Sequence, residues 1–330
     1  MSWFYMALLV AWLAGYIVIG DRLRYLGLIN LLAFYLFIPL PVLLLAAIFF
    51  KRGSLGVGFG IGLIAFLFLW GFQFNPLRLR VVRETRSHSS LSVMTYNVLA
   101  WHSFTGPILK TVRHENPDVV FIQELNNNLA RTLQTELVDD YPYQILEPVN
   151  NPRGIGVISR YPIHESGVQL PGGWIGGPQV LFLDWNDMQI TLVNIHMTST
   201  TGIRSRAHIE RTFAQREDQA RLLAEFVRDR GPTIIAGDAN AAPQNDSYRI
   251  LTSELMDAWR VAGFGLGHTF PGSTIPGSDR PRLGNWYVPP WLSRIDYIFH
   301  SSHFRAVEAR TALVDGVSDH RGVVAVLVVR

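Results

Sequence analysis

The chain has 330 residues, a formal net charge of +3 and no cysteine. That length suits one large domain plus a smaller segment, and the lack of cysteine excludes disulfides, thiolate metal sites and thiol nucleophiles. Charge is uneven: residues 1–87 hold eight Lys/Arg and two Asp/Glu, a net of +6, whereas residues 88–330 hold 21 and 24, a net of −3. The larger part therefore lacks the basic footprint of a nucleic-acid binder.

Three apolar stretches come first, Trp3–Gly20, Leu26–Phe50 and Leu55–Phe74, none with a charged residue. About 20 apolar residues cross a bilayer core as a helix, so residues 1–74 read as an anchor of three transmembrane helices. The first stretch lacks the basic start and A-x-A site of a signal peptide. Pro39 and Pro41 are expected to kink or break the second span. Gly56, Gly58, Gly60 and Gly62 permit close helix contact at the start of the third. Three spans place Arg22, Arg24, Arg78, Arg80, Arg83 and Arg86 on the side of the large domain and Lys51 and Arg52 on the other, which favours a cytoplasmic domain.

Residues 75–90 read as a polar, Arg-rich linker. From Leu91 onward the pattern is strand, helix, strand. Strands are expected at Ser92–Val98, Asp118–Gln123, Gly154–Ser159, Gln179–Asp184, Gln189–His196, Thr233–Ala236, Arg294–His300 and Val323–Val329. Helices are expected at Ile108–Glu115, Asn126–Leu137 and Ile209–Arg230, the last with Phe213, Ala220, Leu223, Ala224 and Val227 at helical spacing. Many strands with interspersed helices predict a layered α/β or α+β domain.

Polar residues cluster at the ends of these strands. Asn97 ends S-V-M-T-Y-N, Glu124 follows V-V-F-I-Q, and His196 ends T-L-V-N-I-H. Asp238 and Asn240 close T-I-I-A-G-D-A-N, Asp296 sits in R-I-D-Y-I-F, and Asp319 and His320 lie in V-S-D-H-R. A strand end at a loop rim is a rigid platform for a functional group. Singly, each has a structural explanation: an Asx turn for Asn97, a satisfied core histidine for His196, a cap for each carboxylate. Their joint occurrence is what points to chemistry.

Together, T-Y-N, F-I-Q-E, R-G-I-G-V-I-S-R-Y-P-I, N-I-H, G-D-A-N, R-I-D-Y-I-F and S-D-H-R resemble, in order, the endonuclease/exonuclease/phosphatase superfamily. The resemblance covers residues 91–330 and implies a four-layer sandwich of two β-sheets flanked by helices, here preceded by the three apolar spans of a bacterial membrane-anchored member. It implies a divalent cation, Mg²⁺ or Mn²⁺, at Glu124 with Asn97 and Asp319 as further ligands. It also implies His320 as general base oriented by Asp296, Asp238 and Asn240 as the pair positioning water and phosphate, and His196 as a transition-state or leaving-group residue. The reaction it implies is attack of water on a phosphoester.

For substrate contacts the sequence offers Arg204 and Arg206 after His196, since guanidinium groups suit phosphate geometry. It also offers Trp286 and Trp291 in N-W-Y-V-P-P-W-L, since Trp favours membrane interfaces. Tethering to a bilayer, with an acidic domain, favours a lipid-linked phosphate over nucleic acid. A membrane-tethered nuclease and an inactive scaffold are the alternatives, and no protein partner is inferable. The likeness to membrane-bound bacterial members places the domain outside the cytoplasm, against the charge count.

Overall fold

The computed structural model describes residues 2–75, 90–101, 103–200, 205–272, 282–283, 285–313 and 317–330. Apart from Ser90, which opens the first strand, and Asn75, the expected linker lies outside the described residues.

Two six-stranded sheets form the large domain. The first contains β1 (Ser90–Asn97), β2 (Val119–Gln123), β3 (Tyr143–Glu147), β4 (Ile155–Ser159), β13 (Phe304–Thr311) and β14 (Val323–Val329), in the order β13-β14-β1-β2-β4-β3. The second contains β5 (Ile163–Glu165), β6 (Gln179–Trp185), β7 (Met188–His196), β8 (Thr233–Asp238), β9 (Met256–Asp257) and β12 (Asp296–His300), in the order β5-β6-β7-β8-β12-β9. A short ribbon, β10 (Arg282–Leu283) with β11 (Trp286–Tyr287), stands apart. The period-2 alternation of strand side chains divides the apolar residues between two faces. Val93, Val119 and Phe121 meet Leu181, Leu192 and Ile234 between the sheets. Met94, Val120 and Ile122 point the other way, against the helices Gly106–Glu115 and Asn127–Glu136. On the outer face of the second sheet, Val193, Ile195 and Ile235 pack against Ala220 and Leu223 of the long helix Arg206–Val227. The expected four-layer sandwich of two sheets flanked by helices is thus present.

The N-terminal segment departs from three simple spans. Its helices are α1 (Ser2–Val18), α2 (Arg24–Leu31), α3 (Pro39–Phe50) and α4 (Gly53–Trp70). Leu26–Phe50 is not one helix: it breaks after Leu31, passes through a 3₁₀ turn at Ala33–Phe37 and restarts with Pro39 at its first position. Proline suits that position because its missing N–H is not needed there. Two helical stretches, Ala33–Phe50 of 18 residues and Gly53–Phe74 of 22, are long and apolar enough to cross a membrane, and the shorter Trp3–Val18 is also apolar. They present large exposed side chains such as Phe49, Phe50, Ile64 and Phe68. Against one another they pack Met6, Trp12, Phe37 and Trp70 in a cluster of their own.

α2 lies against the large domain. Asp21, buried just before α2, accepts from Asn30 Nδ2 at 3.0 Å, from Asn245 Nδ2 at 3.1 Å and from the backbone N–H of Asp246 at 2.8 Å. Its own N–H donates to Asp246 Oδ2 at 2.7 Å, and Asn245 Nδ2 also donates to Gly27 O at 3.0 Å. Arg24 pairs with Glu217. Gly27 lets the helix approach closely: a Cβ there would lie 2.5 Å from the ring of Phe213. Burial raises the Asp21 carboxyl above its usual range, offset in part by these donors. A buried polar group that is fully hydrogen-bonded fixes one arrangement, so the apolar segment and the domain form one packed body.

Candidate active site

Strand register assembles the site. In the second sheet, β7 and β8 run parallel with His196 opposite Asp238, and β8 and β12 run antiparallel with Asp238 opposite Asp296. Three residues far apart in sequence become lateral neighbours at one sheet end. Gly237 permits this: its φ is +149° and a Cβ would fall 1.9 Å from Ile195 O. In the first sheet, β1 pairs with β2 so that Asn97 lies opposite Gln123, with Glu124 next. Leu99, Glu124 and Asn240 all adopt left-handed backbone, with φ of 60°, 59° and 50°. Such conformations are disfavoured for residues with a Cβ and collect at functional sites. Beneath the site Gln123 Nε2 donates to Asn194 Oδ1 at 2.7 Å, and Asn194 Nδ2 donates to Gly156 O at 2.9 Å, tying the two sheets together.

All eight strand-end residues converge. Asn97 Nδ2 donates to Glu124 Oε1 and to Asp238 Oδ2, each at 3.2 Å. Its Oδ1 accepts from Leu99 N at 3.2 Å, so the amide braces two carboxylates while its oxygen keeps a second lone pair. His320 Nδ1 lies 2.9 Å from Asp296 Oδ2, and His320 Nε2 lies 3.8 Å from Asp238 Oδ2. Ser318 Oγ donates to Asn97 O at 2.6 Å and accepts from His320 N at 3.0 Å, which locks the S-D-H-R turn onto β1. Asn240 donates its N–H to Asp238 Oδ1 at 2.8 Å and its side-chain Nδ2 to Met197 O at 3.0 Å.

His196 Nδ1 lies 3.0 Å from Pro152 O, which only accepts, so Nδ1 carries the proton there. Burial lowers the pKa of His196, favouring the neutral ring. Its Nε2 then presents a lone pair to Asp238 at 3.6 Å and Glu124 at 3.9 Å. Electron-rich atoms facing one another beyond hydrogen-bond distance make a place for a cation. Glu124, Asp238 and Asp319 line a common cavity of about 540 Å³, and oxygen donors of this kind suit a hard divalent ion. Asp238, Asp296 and His320 also offer ligand atoms within 4.8 Å of one another. The residues therefore fit the metal that the sequence resemblance implies.

Electrostatics agree. Burial raises Asp319 to about 6 and Asp238 to about 8, with His320 opposing both shifts. His320 itself is held well above its usual value: burial opposes this, but Asp296 and Asp238 outweigh it. A cation entering beside Asp238 and Asp319 displaces their protons, so affinity must rise with pH through this range. Calorimetric Mn²⁺ titrations from pH 5.5 to 8.5 are expected to show affinity rising by up to about tenfold per pH unit for each proton released. Affinity independent of pH would remove these two carboxylates from the binding site.

The substrate residues expected from sequence fare differently. Arg204 lies outside the described residues. Arg206 is exposed in the first turn of Arg206–Val227, pairs with Glu210 at 2.7 Å, and does not line the catalytic cavity. Trp286, 81% exposed, stands on the β10–β11 ribbon, also away from the cavity. Trp291 lies under the Arg321 guanidinium, 3.9 Å from its ring centroid, and its carbonyl accepts from Tyr35 OH at 3.3 Å. It braces the junction with the N-terminal segment instead of the cavity.

Sequence reasoning missed Arg216, which lines the cavity while being 2% exposed. Its Nη1 donates to Thr198 O at 2.9 Å and also to Thr200 Oγ1, holding the segment after His196. Burial lowers its pKa to about 10, which leaves it charged at neutral pH. The signal was available: Arg216 falls three residues after Phe213 and four before Ala220, on the apolar stripe of its helix.

A family model described as the endonuclease/exonuclease/phosphatase family matches residues 94–320. The chain belongs to that family, whose members are metal-dependent phosphoester hydrolases, and it is an enzyme of that class. Solved structures share its fold. An endonuclease/exonuclease/phosphatase from Beutenbergia cavernae has 23% identity and a TM-score of 0.52, covering 73% of this chain and 72% of that one. D. rerio TDP2 complexed with a single-strand DNA product has 17% identity and a TM-score of 0.56, covering 72% and 99%. A Bacteroides vulgatus family member has 16% identity and a TM-score of 0.55, covering 73% and 99%. No curated protein matches the chain.

Proposed function

We propose that this chain is a membrane-anchored phosphoesterase that hydrolyses a lipid-linked phosphate ester with Mg²⁺. The observation that carries this reading is the docking of α2 through Asp21, Asn245 and Asp246, which holds the catalytic cavity beside helices long and apolar enough to cross a bilayer. In this reading Glu124 and Asp319 would hold the cation, with Asp238 beside it. A divalent ion held there would polarise the phosphoryl oxygens and offset charge developing on them. Asp238 and Asn240 orient the attacking water. His320, fixed by Asp296, manages the proton at Nε2. His196 and the buried guanidinium of Arg216 face the phosphate from the other wall.

A nuclease is the second reading, favoured by Trp101, which is 65% exposed at the cavity rim and offers a stacking surface for a base. The test is a substrate panel with full-length protein in nanodiscs: phosphatidic acid, a lipid pyrophosphate, sphingomyelin, a phosphoinositide and plasmid DNA. Mg²⁺-dependent turnover of a lipid phosphate is expected, and Glu124→Ala should lower it by about 10²- to 10³-fold. Efficient DNA cleavage with lipids untouched would replace the first reading with the second. Turnover that survives Glu124→Ala unchanged would point to a scaffold.

A further inference from the structure

The catalytic cavity has a wall that does not belong to the two-sheet domain. Leu28 and Leu31 line it together with Glu124, His196, Asp238 and His320. Both leucines come from α2 and sit three residues apart, on one face of that helix. The faces beside them are otherwise engaged. Gly27 meets Phe213, Asn30 donates to Asp21, and Leu31 O accepts from Ser293 Oγ at 3.3 Å. The helix therefore cannot swing away without breaking a buried polar network. Both leucines remain partly exposed, and the space they face is the space that holds the acidic groups.

Ile175, Ile295, Phe270 and the exposed Trp101 line the same cavity. Phe270 packs against the His320 ring at 4.9 Å between centroids. The cavity thus has two chemistries. Carboxylates, histidines and one buried arginine line it together with aliphatic and aromatic side chains, and Leu28 and Leu31 are the apolar contribution of α2. A phosphoester with a fully polar leaving group would leave Leu28 and Leu31 facing water or polar atoms. An ester bearing a hydrocarbon chain would bury them.

We propose that Leu28 and Leu31 bind the hydrocarbon portion of the substrate next to its phosphate, so that the N-terminal segment sets substrate specificity as well as location. The occupant is an alkyl chain, since two leucine side chains offer it contact and offer a sugar or base no hydrogen bond. The inference rests on the lipid-phosphate reading above and adds to it which residues recognise the lipid.

The test uses full-length protein in detergent and a series of p-nitrophenyl alkyl phosphodiesters from methyl to decyl. In the wild type, kcat/KM is expected to rise with chain length, by up to about fourfold for each methylene fully removed from water. In Leu28→Asn/Leu31→Asn the decyl-to-methyl ratio of kcat/KM is expected to fall at least about tenfold, and in Leu28→Ala/Leu31→Ala to fall less but in the same direction. Ile29→Asn changes an exposed position of the same helix and should keep the wild-type ratio, which separates loss of contact from loss of helix. A chain-length dependence that persists in both double variants overturns the proposal while leaving the lipid reading intact. A flat series in the wild type overturns the lipid reading itself, and this inference with it.

Discussion

Asp296→Asn is expected to lower kcat by about 10³- to 10⁴-fold while leaving the fold in place, by analogy with loss of the orienting carboxylate in other Asp–His pairs. Asp296 is fully buried and bonds His320 Nδ1 at 2.9 Å. Asparagine matches its shape but removes the charge and can present N–H where the ring needs an acceptor, so the wrong tautomer is favoured. The pH–rate profile adds a signed test. Asp296 is the largest influence raising His320, against the opposing effect of burial. Without it the limb of the profile governed by His320 must move to lower pH. A variant with near-normal kcat and an unshifted profile would remove the pair from the chemistry.

The second large effect lies just behind the site. Arg294 and Asp257 form a buried ion pair at 2.7 Å, with side chains 2% and 1% exposed. Asp257 also accepts from Tyr248 OH at 2.7 Å and caps the short helix Ala258–Ala262 by accepting from Trp259 N at 2.9 Å. Arg294 lies over the Tyr297 ring at 4.6 Å and sits two residues before Asp296. Removing one partner of such a pair strands a buried charge, so Asp257→Ala should cost about 3–5 kcal/mol. Chemical denaturation read by far-UV circular dichroism measures this. Arg294→Met in the Asp257→Ala background should recover part of the loss, because no unpaired charge is left behind. A double variant no more stable than the single one would show that the shape of the pair, and not its charge, is what the fold needs.

The large domain was legible because its signals are local. Apolar runs such as Val119–Gln123 and Val323–Val329 are buried on both faces and read as strands on composition alone. The site was legible because its residues close those strands. Register then does what spacing cannot: it places His196, Asp238 and Asp296 side by side although 100 residues separate the first from the last. Phe304–Thr311 escaped notice because F-R-A-V-E-A-R-T mixes charged with small residues and carries a bulge between Ala306 and Glu308. Tyr143–Glu147 escaped because an edge strand with partly exposed side chains lacks a buried run. A guanidinium in a first helical turn looks alike in sequence whether it meets a phosphate or, as with Arg206, a glutamate one turn on. The break after Leu31 was hidden for a different reason. No residue from Leu26 to Phe50 is charged, and only the contacts of Gly27 with Asn245 and Phe213 on the distant domain show that the first part packs against protein.

That docking also governs how the molecule can be dissected. Trimming the apolar N-terminus to gain a soluble fragment would uncover Phe213 and Ser293. It would leave the Asn245 amide and the Asp246 N–H without the acceptor Asp21 supplies. It would also open one side of the catalytic cavity to bulk water. A fragment beginning at Ser90 would keep every residue of the acid–base machinery and still be a different catalyst, with an unwalled pocket and an exposed seam prone to self-association. Extraction of the intact chain, not truncation, is the preparation in which its chemistry can be measured.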